Sequence, residues 1–161
     1  MKHLISALVK NEVGVLAHVA GLFAARAYNI DSLNVGETED PEVSRMTIVV
    51  RGDDAIIEQV IKQLRKLISV LKVQDFSSRP FVERHLLLIK INTPADRRGQ
   101  IIDLAEVFDG KVVDISQKDI VVELSGPEAK IDAFISLCQP YGIKEVVRSG
   151  RIAMLRGGKE E

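Results

Sequence analysis

Residues 11–31 read NEVGVLAHVAGLFAARAYNID, and this stretch decides how the first half of the chain folds. It follows a short apolar strand, Leu4–Val9, and consists of a polar corner, an apolar helix pattern and a second polar corner. Gly14 stands at the start of the helix, where the first N–H groups lack helical partners and carry a partial positive charge. Because a glycine lets a ligand approach the bare backbone, this corner suits a small carboxylate.

The second polar corner, YNID at residues 28–31, lies at the far end of the same helix. Asn11 and Gly14 mark one end and Asn29 and Ile30 the other, about 15 residues or ~22 Å apart along an α-helix. One small ligand cannot contact both ends within a single chain, so corners that share a ligand must come from different subunits. Taken alone, Gly14 is also typical of an ordinary strand-to-helix turn, and Asn29 of a left-handed helix C-terminus.

The hydrophobic spacing predicts one order of elements, strand–helix–strand–strand–helix–strand, in each half of the chain. The strands predicted in the first half are His3–Val9, Ile30–Thr38, Ser44–Arg51 and Val70–Phe76. The first helix is predicted over Val15–Ala27, with an apolar face of Leu16, Val19, Ala20, Phe23 and Ala27. A second helix is predicted to be capped by Asp53, with a stripe of Ile56, Ile57, Val60, Ile61, Leu64, Leu67 and Ile68.

The second half repeats this order less cleanly. Its predicted strands are His85–Ile91, Lys111–Ser116, Ile120–Leu124 and Ile143–Val147, and its predicted helices are Ala95–Phe108 and a segment from Pro127 to about Gln139. We therefore expect an α+β protein of two ferredoxin-like βαββαβ domains, each with two helices on one face of an antiparallel sheet. The expected boundaries are 1–77, a linker at 78–84, and 85–161 with a short tail. A sheet with one bare face tends to pair with another copy, side by side or face to face.

Composition narrows the class of function. The 161 residues carry 22 basic and 23 acidic side chains, a net charge of −1, which argues against a nucleic-acid partner. With 46% apolar residues the chain can bury a core, and no run approaches the ~20 apolar residues of a membrane span. The first residues lead directly into a strand and lack a signal-peptide pattern. We expect a soluble cytoplasmic protein that does not associate with membranes.

Other candidate sites are weak, and we expect no catalytic residues and no metal site. The three histidines, His3, His18 and His85, lack HxxxH or HxH spacing. Four acidic side chains at one turn favour a solvated loop over a catalytic carboxylate pair: Glu37, Glu39, Asp40 and Glu42. Cys138 is the only cysteine, which excludes an intramolecular disulfide, and it reads as core or inert surface.

Three motifs together resemble the ACT domain of acetolactate (acetohydroxyacid) synthase small regulatory subunits. They are NEVGVL at residues 11–16, YNIDSL at 28–33 and SRMTI at 44–48. VER at 82–84 and RSGR at 148–151 resemble the interdomain entry and C-terminal signature of that family, so the resemblance covers essentially the whole chain. It implies a regulatory subunit that is not an enzyme on its own. Such a subunit activates a thiamine-diphosphate-dependent catalytic subunit and confers feedback inhibition by valine in branched-chain amino-acid biosynthesis.

The resemblance also implies a homodimer, paired edge to edge through its ACT domains, with valine or another branched-chain amino acid at the interface. Carried over by residue, the ligand site consists of Asn11, Gly14, Val15, Leu16, Asn29 and Ile30. The Asn11 side chain and the N–H groups of Gly14, Val15 and Leu16 bind the ligand in one subunit, and Asn29 and Ile30 close over it from the other. No cofactor is expected in this chain; thiamine diphosphate, Mg²⁺ and FAD are expected in the catalytic partner.

Two other functions compete with this interpretation. One is a free-standing ACT-type amino-acid sensor that regulates another enzyme or transcription; the lack of a helix-turn-helix motif and of a basic face counts against DNA binding. The other is a small enzyme that uses the acidic turn, which would show turnover by the purified chain.

Overall fold

The computed structural model describes residues 1–157, and the chain packs as two compact units. Residues 1–82 and 151–157 form the first, and Glu83–Gly150 form the second. The order βαββαβ occurs twice, with one four-stranded antiparallel sheet in each half. The predicted α+β fold of two ferredoxin-like repeats is therefore confirmed. The last four residues of the predicted tail lie outside the described residues.

The first unit contains four strands in the order β2-β3-β1-β4. Its elements are β1 (Lys2–Lys10), α1 (Val15–Ala25), β2 (Ile30–Glu37), β3 (Val43–Arg51), α2 (Asp54–Leu64) and β4 (Val70–Asp75). Alternate residues of the central strands, such as Ile5 on β1 and Ile48 on β3, are fully buried with residues of both helices in one core. Strands β2 and β4 are the outermost strands of this sheet.

Helix α1 buries a different face from the predicted one. Its buried residues are Val15, Val19, Leu22 and Phe23, whereas Leu16 is 48% exposed and Ala20 is exposed. Both sets have helical spacing, because an almost uniformly apolar helix offers several stripes. Contact with the sheet selects the stripe that begins at Val15. The prediction that Leu16 and Ala20 lie on the buried face is therefore wrong, and Leu16 remains accessible at the start of the helix.

The helix also ends earlier than predicted, at Ala25, through a left-handed residue. Ala27 has φ 55°, the Tyr28 N–H donates to the Phe23 carbonyl at 3.0 Å, and the Ala27 N–H donates to the Ala24 carbonyl at 3.1 Å. This pair of bonds is the Schellman motif, and the Phe23 and Tyr28 rings, 6.5 Å apart, supply its usual apolar contact. The left-handed residue at this helix end is thus Ala27, so the alternative interpretation of Asn29 as a left-handed helix C-terminus is wrong.

Helix α2 is capped as predicted, since the Asp53 carboxylate accepts a hydrogen bond from the Ile56 N–H at 2.9 Å. Its stripe is buried at Ile57, Val60 and Leu64. The prediction that this stripe extends to Ile68 is wrong. That residue lies in the turn after the helix and is 90% exposed.

The strands of the second half follow the order β6-β7-β5-β8. The elements are β5 (Phe81–Asn92), α3 (Arg98–Val107), β6 (Lys111–Ile115), β7 (Asp119–Gly126), α4 (Glu128–Cys138) and β8 (Ile143–Leu155). Helix α3 begins three residues later than predicted, because Ala95–Arg97 form a turn in which the Arg97 N–H donates to the Pro94 carbonyl at 2.9 Å. Strand β8 runs eight residues beyond its predicted end at Val147.

The extra length of β8 covers a surface that the sequence analysis left bare. On the face of the first sheet opposite the helices, Leu4, Val49 and Phe76 form a second small core, against which Phe81, Ala153 and Leu155 pack. The Asn34 side chain adds a hydrogen bond to the Arg151 carbonyl at 3.3 Å. Residues 151–155 therefore complete the first unit, although they come from the end of the chain.

The left-handed residue that ends α1 predicts a stabilising substitution. Ala27→Gly removes the steric cost of a Cβ at φ 55°, so the free energy of unfolding should rise by about 0.5–1 kcal/mol. Denaturant titration followed by circular dichroism measures this change. Ala24→Gly, within the helix, is the matched control and should lower stability by about the same amount. Equal destabilisation by both variants would contradict the Schellman assignment.

Cys138 is fully buried in the core of the second unit, and burial raises the pKa of its thiol from 9.0 to about 12. At pH ~8 only about one thiol in ten thousand is ionised, so the folded chain should react with a thiol reagent only as fast as it unfolds. Absorbance of the released product measures the rate, and denaturant-unfolded chain is the positive control. The folded chain holds this thiol in its neutral form more strongly than the unfolded chain does. Its contribution to the free energy of unfolding is therefore fully present at neutral pH and is lost as the pH rises from about 9 towards 12.

Candidate functional site

The loop between β1 and α1 presents unused backbone donors. Gly14 is the N-cap of α1 with φ 86°, and its surroundings leave open space where a Cβ would point. The Val15 N–H makes a long bond, 3.5 Å, to the Glu12 carbonyl. Within residues 1–157 the N–H groups of Leu16 and Ala17 donate no hydrogen bond, and no side chain caps the helix. This end of α1 can therefore bind an anion through its backbone.

The Asn11 side chain is held beside this helix start by the neighbouring β2–β3 turn. Its Nδ2 donates to Glu37 Oε1 at 3.2 Å and to the Pro41 carbonyl at 2.9 Å. Its backbone N–H donates to the Glu42 carbonyl at 2.7 Å. Both amide hydrogens are thereby used, and within the described chain Asn11 Oδ1 accepts no hydrogen bond. The group that Asn11 offers to a ligand is consequently an acceptor.

The second corner is organised by a charge-assisted pair. Arg51 Nε donates to Asp31 Oδ2 at 2.7 Å, and Asn29 Nδ2 donates to Asp31 Oδ1 at 3.1 Å. The hydrogen bond from Arg51 holds the pKa of Asp31 below its ordinary value of 3.8. Asn29 is exposed and its Oδ1 accepts no hydrogen bond from residues 1–157, so this corner also presents an amide oxygen.

Apolar groups stand beside both corners. Val13 is fully exposed and Leu16 about half exposed at the start of α1. Ile30, the first residue of β2, is partly buried against the core of the first unit and keeps part of its side chain accessible. Such groups suit a small aliphatic side chain next to a polar head.

One chain does not bring the two corners together. Ile30 pairs with Val50, and Val50 pairs with His3 near the start of β1, whereas Lys10 at the other end of β1 pairs with Val43. Seven residues of strand separate His3 from Lys10, or about 24 Å. Asn11, Gly14, Val15 and Leu16 therefore lie at one end of the sheet, and Asn29 and Ile30 lie at the opposite end.

Several residues that shape these corners were missed in the sequence analysis. Glu37 and Pro41 position Asn11, Arg51 and Asp31 position Asn29, and Ala17 adds an unused N–H group. The sequence around Glu37 indicates only a solvated acidic loop. Its role depends on the turn that brings the end of β2 next to the end of β1, and that contact between distant residues has no local signal.

The acidic turn, a metal centre and a membrane-spanning helix are the other features to compare with the described residues. The acidic turn is ordered by local bonds, such as that from the Glu42 N–H to Asp40 Oδ1 at 2.9 Å. Among residues 1–157 no group of three or more histidine, cysteine, aspartate or glutamate side chains is arranged to hold a metal ion. Within the same residues no helix combines the length and apolar character needed to cross a bilayer.

Comparison with known families matches each half of the chain to a model that describes acetolactate synthase small subunits. A family model described as "AHAS small subunit-like ACT domain" matches residues 5–72. A second model, described as "Small subunit of acetolactate synthase", matches residues 84–157.

The chain is similar to individual relatives over nearly its own full length. The chain is 51% identical to the probable acetolactate synthase small subunit of Archaeoglobus fulgidus over 99% of this chain and 100% of that protein. It is 53% identical to the acetolactate synthase small subunit of Aquifex aeolicus over 96% of this chain and 81% of that protein. A crystal structure of the small subunit from Thermotoga maritima, 42% identical, superposes with a TM-score of 0.89 and covers 99% of both chains.

Proposed function

The chain belongs to the family of acetolactate synthase small subunits, and we propose that it senses valine on behalf of a separate catalytic subunit. In this proposal it works in the cytoplasm as a homodimer and raises the activity of a catalytic chain that holds thiamine diphosphate, Mg²⁺ and FAD. Valine bound between two ACT domains withdraws that stimulation. The observation that carries the proposal is the pairing of unused backbone donors at the start of α1 with unused amide acceptors at both corners.

The carboxylate of the ligand goes to the start of α1. The free N–H groups of Leu16 and Ala17 lie there together with the positive end of the helix, worth about 0.3–1 kcal/mol for an anion. Charge-assisted hydrogen bonds add about 1.5–3 kcal/mol. Gly14 keeps the approach open, because a side chain at this position would project into the space that the carboxylate needs.

The ammonium group of the ligand goes to the amide oxygens. Asn11 Oδ1 is available because Glu37 and Pro41 take both amide hydrogens, and the nearby Glu37 carboxylate adds negative charge. Asn29 offers a second oxygen from the other corner. Val13, Leu16 and Ile30 provide apolar surface for an isopropyl group.

Pairing of two β2 edges supplies the second corner. Strand β2 is outermost in its sheet, so one edge of its backbone faces no other strand in the described part of the chain. If two copies of β2 pair antiparallel with full overlap, Ile30 of one copy faces Glu37 of the other. Glu37 lies 3.2 Å from Asn11, so the Asn29–Ile30 corner of one subunit reaches the Gly14 corner of its partner.

A ligand at this position can regulate a partner protein. Valine shifts the holoenzyme only by binding two arrangements of the ACT pair with different affinity. A coupling of ~1–3 kcal/mol corresponds to roughly 5–150-fold regulation. A free-standing sensor would bind the same ligand without a catalytic partner, so capture of a large thiamine-dependent enzyme by the tagged chain discriminates between the two functions.

Charge at position 14 should control valine sensitivity. Gly14→Asp places a carboxylate against that of the ligand and should weaken valine binding by at least about tenfold. Asparagine is nearly isosteric with aspartate but carries no charge, and it tolerates the left-handed backbone. Gly14→Asn should therefore retain more affinity for valine than Gly14→Asp. Calorimetric titration with valine, leucine and isoleucine measures binding, and assays with the catalytic subunit measure inhibition.

The control for the two Gly14 variants is stimulation of the catalytic subunit. Both variants should preserve this stimulation, because the substitution lies in the ligand site. Asn11→Ala should also abolish inhibition by valine while the mixed subunits remain active. Wild-type inhibition in both Gly14→Asp and Asn11→Ala would show that the site is placed wrongly. A folded wild-type dimer that gives no heat with any of the three amino acids would remove the sensor function.

If dimers form through β2, a substitution that disrupts the dimer should also weaken valine binding. Val35 lies on β2 and is 46% exposed, so Val35→Glu should place like charges at the paired edges and shift the chain towards monomers. Analytical ultracentrifugation measures the shift, and valine affinity should fall with it. Val113→Glu, at a 49%-exposed valine on β6, is the matched control and should leave both unchanged. Valine binding by a Val35→Glu monomer would contradict the shared site.

A further inference from the structure

A second polar site lies in the first unit, away from both corners. His3 on β1 is 3% exposed, and within residues 1–157 neither of its ring nitrogens has a hydrogen-bond partner. It lines a cavity of about 440 Å³ together with Asp54 and Glu58 of α2, Asp75 of β4, Met1, Ile57, Ile61, Ser77 and Ser78. A buried histidine without partners on the wall of a polar cavity calls for a ligand.

The two ring nitrogens of His3 each face a carboxylate without a hydrogen bond to it among the described residues. Nε2 lies 3.7 Å from Asp54 Oδ1, and Nδ1 lies 3.7 Å from Asp75 Oδ2, both beyond hydrogen-bonding distance. A neutral imidazole has one N–H donor and one lone pair, so it can satisfy only one of the two carboxylates. Its lone pair then faces a second anion. A positively charged donor between that nitrogen and its carboxylate would satisfy both groups.

The lining defines the charge of this donor. Asp54, Glu58 and Asp75 place three carboxylates at the cavity, and no lysine or arginine among the described residues lines it. The α-amino group of Met1, which also lines the cavity, makes no ion pair with these carboxylates within the described residues. The Lys62 ammonium pairs with Glu58 at 2.8 Å without lining the cavity. The site therefore favours a cation and repels carboxylates and phosphates, in contrast to the start of α1.

We propose that this cavity binds a primary alkylammonium group. Such a group has three N–H donors: one can go to the free lone pair of His3 and a second to the carboxylate beside that nitrogen, which is Asp75 at Nδ1 or Asp54 at Nε2. At the usual charge-assisted distance of about 2.8 Å, one nitrogen can bridge an imidazole and a carboxylate that are 3.7 Å apart. Ile57 and Ile61 form an apolar wall for the carbon stem. The amine comes either from a free small molecule or from a lysine side chain of another protein.

A titration with n-butylammonium chloride tests the proposal on the intact chain. Two-dimensional NMR of the histidine C–H signals, at pH ~8 where an ordinary imidazole is neutral, follows His3 directly. We expect the His3 signals to shift in a saturable manner with an affinity on the order of millimolar, as befits a very small ligand. The signals of His18 should not move. 1-Butanol, which has the same stem without the charge, should give no saturable shift.

Variants identify the carboxylates. Asp75→Asn keeps the oxygen that accepts from the Ser77 N–H at 2.8 Å, so the chain should fold, and its affinity for butylammonium should fall by about tenfold. Asp54→Asn, at a 94%-exposed side chain, should cause a smaller loss. Glu106→Gln removes a charge from an exposed position on α3 and is the matched control, with wild-type affinity expected.

Measuring how Asp75→Asn affects assembly with the catalytic subunit identifies the source of the amine. If Asp75→Asn weakens both butylammonium binding and assembly, a lysine of the partner occupies the cavity; if only butylammonium binding falls, the ligand is a free amine. The proposal is overturned if butylammonium gives no saturable shift at His3, or if 1-butanol or Asp75→Asn gives the same response as the wild type with the amine. Saturable binding of Zn²⁺ or Mn²⁺ without any response to amine would also overturn it.

Discussion

The unbroken antiparallel register between β1 and β3 is the constraint on which the first unit depends. All nine residues of β1, from Lys2 opposite Arg51 to Lys10 opposite Val43, pair without a bulge. This register buries Ile5 and Ile48 on one face and leaves Leu4 and Val49 on the other. It also places Asn11 beside the β2–β3 turn and His3 beside the start of α2. A shift by one residue would exchange the two faces and dismantle both polar sites.

The two ends of this sheet carry complementary chemistry. Among residues 1–157, a helix begins at one end with free N–H groups, and at both ends an asparagine is held so that its amide oxygen has no partner. An amino acid, which carries a carboxylate and an ammonium group close together, needs such donors and acceptors within a few ångströms of each other. Asn11 places one acceptor beside the donors, but Asn29 and Ile30 lie a strand length away in the same chain, so a site that uses both corners requires association of subunits. Binding and assembly are then linked by the same geometry.

The two units repeat one fold but complete it differently. In the first, residues 151–155 from the end of β8 pack over the sheet face opposite the helices. In the second, the outward residues Leu86, Leu88 and Val147 remain 40–53% exposed. A repeated pattern of apolar residues therefore specifies the strands and helices of both units without specifying what covers each outer face.

The residue pattern by itself determined the fold, because periods of two and 3.6 residues and the Asp53 cap act within a few positions of the chain. It also located Gly14, whose backbone conformation only glycine adopts without strain. Tertiary structure alone decided which stripe of α1 is buried, where β8 ends and which atoms of Asn11 and His3 remain unpaired. These outcomes depend on contacts between residues such as Asn11 and Glu37, or Asn34 and Arg151, which lie far apart in the chain. Such contacts leave no periodic trace in the sequence, since they are set by sheet register and by packing of the whole unit.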